Sequence, residues 1–369
     1  MRATKAIIHL NRFRRNIQGV REKIGPRPGI CVPVKADAYG HGAVQIARAA
    51  LDAGAACLAV ATVSEGAELR AAGIGAPILL LSLPLPEELP EVIFQGLIPL
   101  VSDRDFIREA ARAAENTGKP LEVHLKIDTG MGRLGCPPEE AADLAANIAR
   151  EKYLLLGGTA THLAVADSSV PEDVAYTKKQ LARFREGVEA IRRAGIDPGI
   201  VHGANSGGVV FHEDSWFDMV RPGILLYGYS PGPGKPEVTP VMELLTQVSL
   251  IKPVKKGETV SYGRTWTAPQ DTVIAILPVG YADGLSRSLS GNFPVTIRGR
   301  RYPLVGRICM DQCMVDLGPE PEVRRWEEVT LFGPETVTAA DMAAVLGTIP
   351  YEITCGINKR VPRIYRDSR

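Results

Sequence analysis

The chain has 369 residues, of which 45% are hydrophobic, and its 43 Lys and Arg against 42 Asp and Glu leave a net charge of +1. This length predicts one large or two ordinary domains with a substantial core, which excludes disorder as the main state. The balanced charge provides no basic field for nucleic acid and no acidic tail for a basic partner. A small-molecule substrate is therefore expected.

The cysteines and the apolar stretches indicate the compartment. Six cysteines are scattered along the chain, which predicts reduced thiols rather than a secreted disulfide framework. Cys309 and Cys313 lack a second Cys or His pair at ligand spacing, so packing is a better interpretation than zinc, and no metal is expected. No signal peptide is recognised, and the apolar stretch at 77–85 is shorter than the ~20 residues of a membrane span. The sequence predicts a cytoplasmic protein.

Short β-rich runs alternate with amphipathic helical stretches in the first two thirds of the chain. Eight runs are predicted as strands, at residues 30–35, 57–62, 77–82, 98–102, 121–128, 154–164, 199–205 and 218–228. Helices are predicted for stretches such as AVQIARAALDAG, DRDFIREAARAAENTG, PEEAADLAANIARE and AYTKKQLARFREGVEAIRRAG. This alternation favours an α/β fold with a (β/α)8 barrel of the TIM type over an open doubly wound sheet. The weakest unit is GGVVFHED.

The character of the sequence changes after Gly228. The Pro- and Gly-rich stretch SPGPGKPEVTP precedes strand-like pieces with hardly any helix, namely LLTQVSLIKPV, DTVIAILPV, FPVTIRGRRYPLVG, CMVDL and EVTLF. DMAAVLG is the one convincing helix there. We therefore predict a barrel domain at 1–240 and a mostly β C-terminal domain at 241–369.

Reactive side chains stand where the predicted strands end, and a barrel places its active site at those ends. Lys35 follows the apolar residues 31–34. Desolvation there would lower its pKa and make it a Schiff-base nucleophile, which we weigh evenly against a surface lysine.

The fifth run places His124, Lys126 and Asp128 on one strand face by its period of two. We expect Lys126 to pair with a carboxylate such as Asp128 or to be chemically neutralised. Arg133 could bind an anion such as a substrate carboxylate, and a structural ion pair is the competing interpretation.

The last three runs add further polar residues. The sixth ends with His162, and the seventh ends in HGANSGG, where Asn205, Ser206 and the glycines suit backbone amides around a phosphate. The eighth carries Arg221 in an apolar strand and Gly223, which permits close approach of a ligand. Strands seven and eight of a barrel are a recurrent phosphate site.

Nine stretches, taken in order over nearly the whole chain, resemble the alanine racemase family of bacterial pyridoxal-phosphate enzymes. They are VKADAYGHG, KIDTGMGRLG, THLAVAD, HGANSGG, RPGILLYG, SYGRTW, PVGYADG, VGRICMDQCMVD and PYEITCGINKRVPR. Chance would not reproduce this ordered set. The resemblance implies a barrel followed by a β domain, interconversion of L- and D-alanine with pyridoxal 5'-phosphate, and supply of D-alanine for peptidoglycan.

The resemblance implies that Lys35 holds the cofactor as an internal aldimine and that Tyr262 is the second catalytic base. Two bases are needed because racemisation removes the Cα proton from one face and returns a proton to the other. A free tyrosine has a pKa near 10, so Tyr262 needs cationic help. The family's answer is a hydrogen-bonded chain from Tyr262 through His162 to Arg221.

By the same resemblance, Arg221 lies against the pyridine nitrogen. A guanidinium at ~4 Å opposes protonation of that nitrogen by roughly 4 kcal/mol at an effective dielectric near 20, or about three pKa units. The weaker electron sink limits transamination. Related barrel decarboxylases place a carboxylate there, so RPGI favours a racemase.

The remaining matches concern binding. Positions that match cofactor contacts, besides Lys35, His162 and Arg221, are Tyr39, Asn205, Ser206, Gly223, Ile224 and Tyr351. Arg133 and Met310 match substrate contacts, and the lysine at Lys126 is often carbamylated in the family, which would let it orient Arg133. The resemblance also implies a homodimer in which each site takes Tyr262 and Met310 from the partner subunit.

Other residues within or near the motifs receive smaller roles. Gly207 and Gly208 stand where the family often has Ala-Ala, which would loosen the phosphate loop. His41, Cys309 and Cys313 are interpreted as packing residues, Arg298, Arg300 and Arg301 as a solvated strand face, and Asp167, Tyr281 and Arg307 as an entry corridor.

Three alternatives remain. The first is another enzyme on the same cofactor and barrel, such as a serine racemase, a decarboxylase or an aldolase; Met310 and Tyr351 suit a side chain of about a methyl group, but a methylene is worth only ~1 to 3 kcal/mol. The second is a single-barrel pyridoxal-phosphate-binding protein, against which SYGRTW and the β domain argue. A purely structural interpretation leaves Lys35, His162 and Arg221 unexplained.

Overall fold

The computed structural model describes residues 2–234 and 236–367. The chain forms two compact units. The barrel unit comprises Phe13–Ala38 and Ala43–Val238, and the β unit comprises the described residues up to Arg12, the segment Tyr39–Gly42 and the chain from Thr239 onward. Each unit is described by itself. In the described ranges, no helix has the length and apolar character needed to cross a membrane.

Eight parallel strands close into the barrel. Strand β1 is Lys5–His9, in the β unit, and the barrel strands are β2 (Gly29–Pro33), β3 (Cys57–Val60), β4 (Ile78–Leu80), β5 (Ile98–Val101), β6 (Leu121–Lys126), β7 (Leu154–Ala160), β8 (Ile200–His202) and β9 (Met219–Val220). Each predicted run overlaps one of them, which confirms the (β/α)8 barrel. Most strands are buried along their length, as expected for a parallel sheet whose faces are both covered.

The last barrel strand is much shorter than the predicted run at 218–228, since β9 has only 2 residues. Pro222 follows it almost directly and has no backbone N–H to donate to a ladder. The chain therefore leaves the barrel at Arg221.

Helices lie between the strands, and four of them, at 43–52, 104–117, 141–150 and 171–193, coincide with the predicted amphipathic stretches. The helices are α1 (Leu10–Ile24), α2 (Lys35–Gly40), α3 (Ala43–Asp52), α4 (Val63–Ala71), α5 (Leu89–Phe94), α6 (Arg104–Thr117), α7 (Ala141–Arg150), α8 (Pro171–Arg193) and α9 (Ser206–Phe211). Helix α6 illustrates how individual residues determine where a helix begins and ends. Asp103 accepts a hydrogen bond from the Phe106 amide at its start, and Gly118, at φ 66°, ends it in the left-handed region.

Helix α2 is left-handed. Four successive residues without a glycine among them, Ala36–Tyr39, have φ between 52 and 54°. Such a conformation costs roughly 1–2 kcal/mol per residue. Side chains hold the segment in place: Glu65 Oε1 accepts from the Ala36 amide at 2.7 Å, and Asp37 Oδ1 accepts from the Ala43 amide at 2.8 Å. Strain of this kind is typical of functional sites.

The β unit contains a nine-stranded sheet in the order β11-β14-β17-β16-β15-β18-β10-β1-β19 and the pair β12-β13. Its strands are β10 (Met242–Gln247), β11 (Leu250–Val254), β12 (Thr259–Val260), β13 (Trp266–Thr267), β14 (Thr272–Leu277), β15 (Pro294–Ile297), β16 (Arg300–Val305), β17 (Cys313–Gly318), β18 (Glu328–Phe332) and β19 (Arg363–Arg366). This confirms the mostly β C-terminal domain. Strand β1 pairs with β10 and β19, so the start of the chain completes this sheet.

Two details of the β unit differ from the prediction. The stretch LLTQVSLIKPV forms two strands, because β10 pairs with β18 whereas β11 pairs with β14. Besides α10 (Ala339–Leu346), which contains the predicted DMAAVL, the unit has a second helix, α11 (Pro350–Cys355). Its 6 residues are too few to show a helical period.

Candidate active site

The carboxyl ends of the barrel strands carry the reactive side chains of the barrel unit. Lys35 lies two residues after β2, and Lys126 is the last residue of β6. His162 lies two residues after β7, His202 ends β8, and Arg221 follows β9 directly. This end of a barrel is where enzymes of this fold hold their active sites.

Arg221 is buried and fixed by neutral acceptors. Nη1 contacts Nδ1 of His202 at 2.5 Å, and Nη2 donates to the Thr161 carbonyl at 2.7 Å and lies 3.4 Å from Nδ1 of His162. None of these bonds uses its Nε–H. A ring-nitrogen acceptor, such as that of a pyridine, fits this unused donor.

His162 has an electropositive surrounding. Burial, followed by the charges of Arg221, Lys126, Arg133 and Lys35, holds the pKa of His162 well below its usual value. The ring is therefore neutral at physiological pH, with one nitrogen able to donate and the other to accept.

The predicted ion pair of Lys126 with Asp128 does not form. Asp128 lies beyond the end of β6, and its carboxylate accepts from the amides of Gly130, Met131 and Gly132 at 2.9 to 3.1 Å. Lys126 donates to the Ile127 carbonyl instead, at 3.2 Å, and no ion pair to it is found within residues 2–234 and 236–367. Burial and then the charge of Arg221 lower the pKa of Lys126 to about 7. The loop amides outcompete the lysine for Asp128, so the amine is partly neutral.

Ser206 and Gly223 come together after the last two barrel strands. Ser206 Oγ accepts from the amides of Gly223 and Leu225 at 2.9 and 3.3 Å. Asn205 caps α9, because its Oδ1 accepts from the Gly208 amide at 3.0 Å while its Nδ2 donates to the Leu163 carbonyl. The side chain of Asn205 therefore holds the loop together.

Gly207 is required by a close backbone approach. A Cβ at this position would lie 2.7 Å from the carbonyl carbon of Ala166 and from the amide nitrogen of Asp167. Gly207 therefore lets α9 pack tightly against the loop after His162, and a Cβ at Gly208 would lie 2.9 Å from Oγ of Ser215. The expectation that these glycines loosen the loop is not what the packing indicates.

In the β unit, Tyr262 lies on an exposed turn. Its side chain is 72% exposed. The turn is held by the preceding residue, because Ser261, at φ 70°, donates from Oγ to the Arg307 carbonyl at 2.6 Å. Met310 is also exposed, and its carbonyl accepts from the Ala282 amide at 3.1 Å, next to Tyr281.

Tyr39 and Tyr351 form a pair of rings in the β unit. Their centroids lie 5.6 Å apart at 51°. His41 is buried beside them, with Nδ1 2.9 Å from the Tyr39 carbonyl. Gly40 contributes to this arrangement, since a Cβ there would overlap the Thr354 carbonyl oxygen.

The cysteines of the β unit and a group of three arginines have the environments that the sequence predicted for them. Burial raises the pKa of the Cys313 thiol, as for a packing residue, and Cys309 is half-buried. Arg298, Arg300 and Arg301 are exposed. In the described part of the chain, no group of three or more His, Cys, Asp or Glu is arranged to hold a metal ion.

Comparisons with known proteins agree with this architecture. The model of the alanine racemase N-terminal domain matches residues 8–231, and that of the alanine racemase C-terminal domain matches residues 241–365. The chain is 53% identical to an alanine racemase of Treponema denticola, over 100% of this chain and 99% of that protein. The chain belongs to the alanine racemase family.

Solved structures of the alanine racemase family have the same fold. A Clostridium difficile alanine racemase is 36% identical, with a TM-score of 0.94 over 100% of this chain and 96% of its own. A complex of that racemase with cycloserine gives 35% identity and a TM-score of 0.93 over 100% of this chain and 96% of its own. The resemblance seen in the nine motifs is confirmed, and the chain is an amino-acid racemase, an enzyme of the isomerase class.

One buried residue at the mouth of the barrel was missed by the sequence analysis. His202 ends β8 and contacts both Arg221 and His124. The available signal was an imidazole at the end of an apolar run, the same signal that identified His162.

Proposed function

We propose that the chain interconverts L-alanine and D-alanine by two-base transfer of the Cα proton, with pyridoxal 5'-phosphate as cofactor. The observation that carries this proposal is the meeting of Lys35, His162 and Arg221 at the carboxyl ends of the barrel strands, where no hydrogen bond in the described part of the chain uses the Nε–H of Arg221. Bound there, pyridoxal phosphate supplies an electron sink that acidifies the Cα–H bond of the amino acid.

The residues that would hold the cofactor come from the family motifs. Lys35 would bind it covalently through Nζ, and Arg221 would donate to the pyridine nitrogen. The phosphate would be held by Ser206 and its neighbours, and the complete set is Lys35, Tyr39, His162, Asn205, Ser206, Arg221, Gly223, Ile224 and Tyr351. The contact of Ser206 with the Gly223 amide supports this set, since it joins two of its members.

Proton transfer would use two side chains, one on each face of the substrate. The Lys35 amine would take or return the Cα proton on one face, and the Tyr262 phenol would serve the other face. Because Nδ1 of His162 accepts from Nη2 of Arg221 at 3.4 Å, the neutral His162 would carry its proton on Nε2 and donate it to the phenol oxygen of Tyr262. A permanently charged Arg221 would stabilise the phenolate form of Tyr262 through this chain.

Substrate recognition would depend on Arg133 and Met310. Arg133 would bind the alanine carboxylate, and Met310 would limit the side chain to about a methyl group. Lys126, whose pKa of about 7 leaves a neutral amine available, would react with carbon dioxide. The nitrogen forms a bond to the carbon, one proton leaves, and the resulting anionic carbamate would orient Arg133.

The working unit is proposed to be a homodimer. Tyr262 and Met310 are exposed in the single chain, and each active site would take these two residues from the partner subunit. Within residues 2–234 and 236–367 no disulfide forms, and a reducing cytoplasm is proposed as the compartment. There the product D-alanine would enter the synthesis of peptidoglycan.

Single variants test the two bases. In D2O, Tyr262→Phe should exchange the α-proton of one alanine enantiomer and lose exchange of the other, because Lys35 still serves its own face. Lys35→Ala should lose covalent attachment of the cofactor, measured as the absence of a borohydride-stable mass increment. Equal exchange of both enantiomers by Tyr262→Phe would refute the assignment of Tyr262.

Mixed chains test the shared site. Lys35→Ala and Tyr262→Phe chains are each expected to be inactive as homodimers, and combining them should restore one native site per heterodimer. No recovery in a heterodimer shown to form by mass would refute sharing of the site.

A further inference from the structure

A string of polar side chains runs inside the barrel from Arg221 to its opposite end. Arg221 Nη1 lies 2.5 Å from His202 Nδ1, and His202 Nε2 lies 2.8 Å from His124 Nδ1. His124 Nε2 lies 3.5 Å from Oε1 of Glu122, a longer, electrostatic contact. Arg221 and both histidines are buried, whereas the Glu122 side chain is 44% exposed. The string therefore links a buried cation to a carboxylate that solvent reaches.

The strands of the barrel build this string by their register. His124 on β6 pairs with Gly158 on β7, and His202 on β8 pairs with Ala160 of the same strand. The register between β6 and β7 shifts at Val123 and His124, which leaves Gly157 as the extra residue of a β-bulge.

The two glycines of β7 make room for the string. A Cβ at Gly158 would lie 2.6 Å from Nδ1 and Cε1 of the His124 ring. A Cβ at Gly157 would overlap the carboxylate of Glu122. Because neither glycine has a Cβ, the side chains of Glu122 and His124 can lie flat against the neighbouring strand. The two glycines of the motif LLLGG therefore leave the space that the polar string needs.

The order of protons along the string is fixed from both ends. An arginine can only donate, so His202 Nδ1 must accept and its proton must be on Nε2. That proton is donated to His124 Nδ1, which places the His124 proton on Nε2, facing Glu122. An ionised carboxylate can only accept. Both hydrogen bonds of the string therefore have one donor and one acceptor, with both rings neutral, and the proton on His124 Nε2 faces a carboxylate oxygen 3.5 Å away.

The electrostatics of the groups agree with this order. Burial and then the charge of Arg221 hold the pKa of His202 well below its usual value. The neighbouring ring of His124, whose Nε2 lies 3.5 Å from Oε1 of Glu122, is the main influence that lowers the pKa of Glu122. The ring of His202 therefore stays neutral while the carboxylate of Glu122 stays charged.

We propose that Glu122, His124 and His202 are positioning residues that fix the guanidinium of Arg221 for racemisation without neutralising it. This inference rests on the proposed function. A carboxylate bonded directly to Arg221 would cancel much of the positive field at the cofactor's pyridine nitrogen. Two neutral rings in between orient Nη1 and leave that field in place. The distant carboxylate aligns the protons of the rings.

The geometry can be tested without the cofactor. In the apoenzyme at pH 7, nitrogen-15 NMR should show both His202 and His124 protonated at Nε2 alone. The variant Glu122→Gln should keep this order, because Arg221 still can only donate and the amide oxygen of the glutamine can accept from His124 Nε2. A ring of the wild type protonated at Nδ1, or on both nitrogens, would overturn the proposal.

The role can be tested with the loaded enzyme. His202→Leu should lower kcat about 10- to 100-fold, as expected for loss of a buried bond to a charged group, and should form more pyruvate per racemisation. The KM for alanine should change little. His202→Asn is the matched control, since its amide oxygen replaces Nδ1 as acceptor and should recover most of kcat.

Two results would separate the possible failures. If His202→Leu keeps the wild-type kcat and pyruvate ratio, the positioning role is wrong. If His202→Leu does not fold, His124→Leu and His124→Asn give the same comparison one ring further from Arg221. A wild type that shows the expected tautomers but does not racemise alanine would contradict the proposed function and not the string.

Discussion

Nδ1 of His162 lies 3.4 Å from Nη2 of Arg221. Burial and this neighbouring charge hold the pKa of His162 well below its usual value near 6.5. The imidazole is therefore a neutral ring, as the proposed chain from Tyr262 to Arg221 requires.

The first prediction concerns pH. Because the pKa of His162 is lowered, its ring should show no titration in NMR between pH 8 and pH 6. Below about pH 6.5 the His162 side chain binds a proton in the unfolded chain but not in the folded chain. The free energy of unfolding should therefore keep its full value above about pH 6.5 and decrease as the pH drops below that value. A His162 resonance that titrates with a midpoint near 6.5 would contradict this.

The second prediction concerns the charge of Arg221. Arg221→Gln removes the cation proposed to lie at the pyridine nitrogen, whose protonation it opposes by about three pKa units. Pyruvate formed per alanine racemised should therefore rise, measured with coupled lactate dehydrogenase. Arg221→Lys keeps a charge and should stay closer to the wild-type ratio. An unchanged ratio in Arg221→Gln would count against this role.

The third prediction concerns Lys126. Since the pKa of Lys126 is about 7, the neutral amine and hence its carbamate should increase as the pH rises from 6 to 8. Carbon-13 NMR with labelled bicarbonate should show a carbamate resonance that Lys126→Ala lacks and that the exposed-site control Lys179→Ala keeps. Lys126→Ala should also raise KM more than it lowers kcat. A resonance that survives in Lys126→Ala belongs to another amine and refutes the assignment.

The fourth prediction concerns Gly207. Gly207→Ala places a Cβ 2.7 Å from the backbone of Ala166 and Asp167. Overpacking of this kind costs about 1–3 kcal/mol, so Tm should fall and phosphate should bind more weakly to the apoenzyme. Gly75→Ala is the control, because nothing lies within 4 Å of its Cβ. Equal Tm values for the two variants would show that the loop can move away.

Local patterns predicted the barrel because each strand is a short apolar run between amphipathic helices. Local patterns do not determine which distant strands pair. The residues of β1 are typical of a strand, but only the folded sheet shows that β1 pairs with β10 and β19. The left-handed turn at Ala36–Tyr39 was also beyond prediction, because nothing in ordinary propensities places four such residues at positive φ.

The candidate active site was likewise predicted only in part from the sequence. Lys35, His162 and Arg221 stood out as charged or titratable groups ending apolar runs. The partner of Lys126 could not be chosen by spacing, since Asp128 is claimed by the amides of its own loop. His202 was missed because its role depends on His124 from a strand 78 residues away.

The most direct test of the account is proton NMR of L-alanine in D2O with the purified holoenzyme, followed by chiral analysis of the product. We expect loss of the Cα proton signal together with accumulation of D-alanine until the enantiomers are equal. Exchange with full retention of the L configuration would contradict the two-base assignment. No exchange, with the cofactor covalently bound to Lys35, would contradict alanine as the substrate.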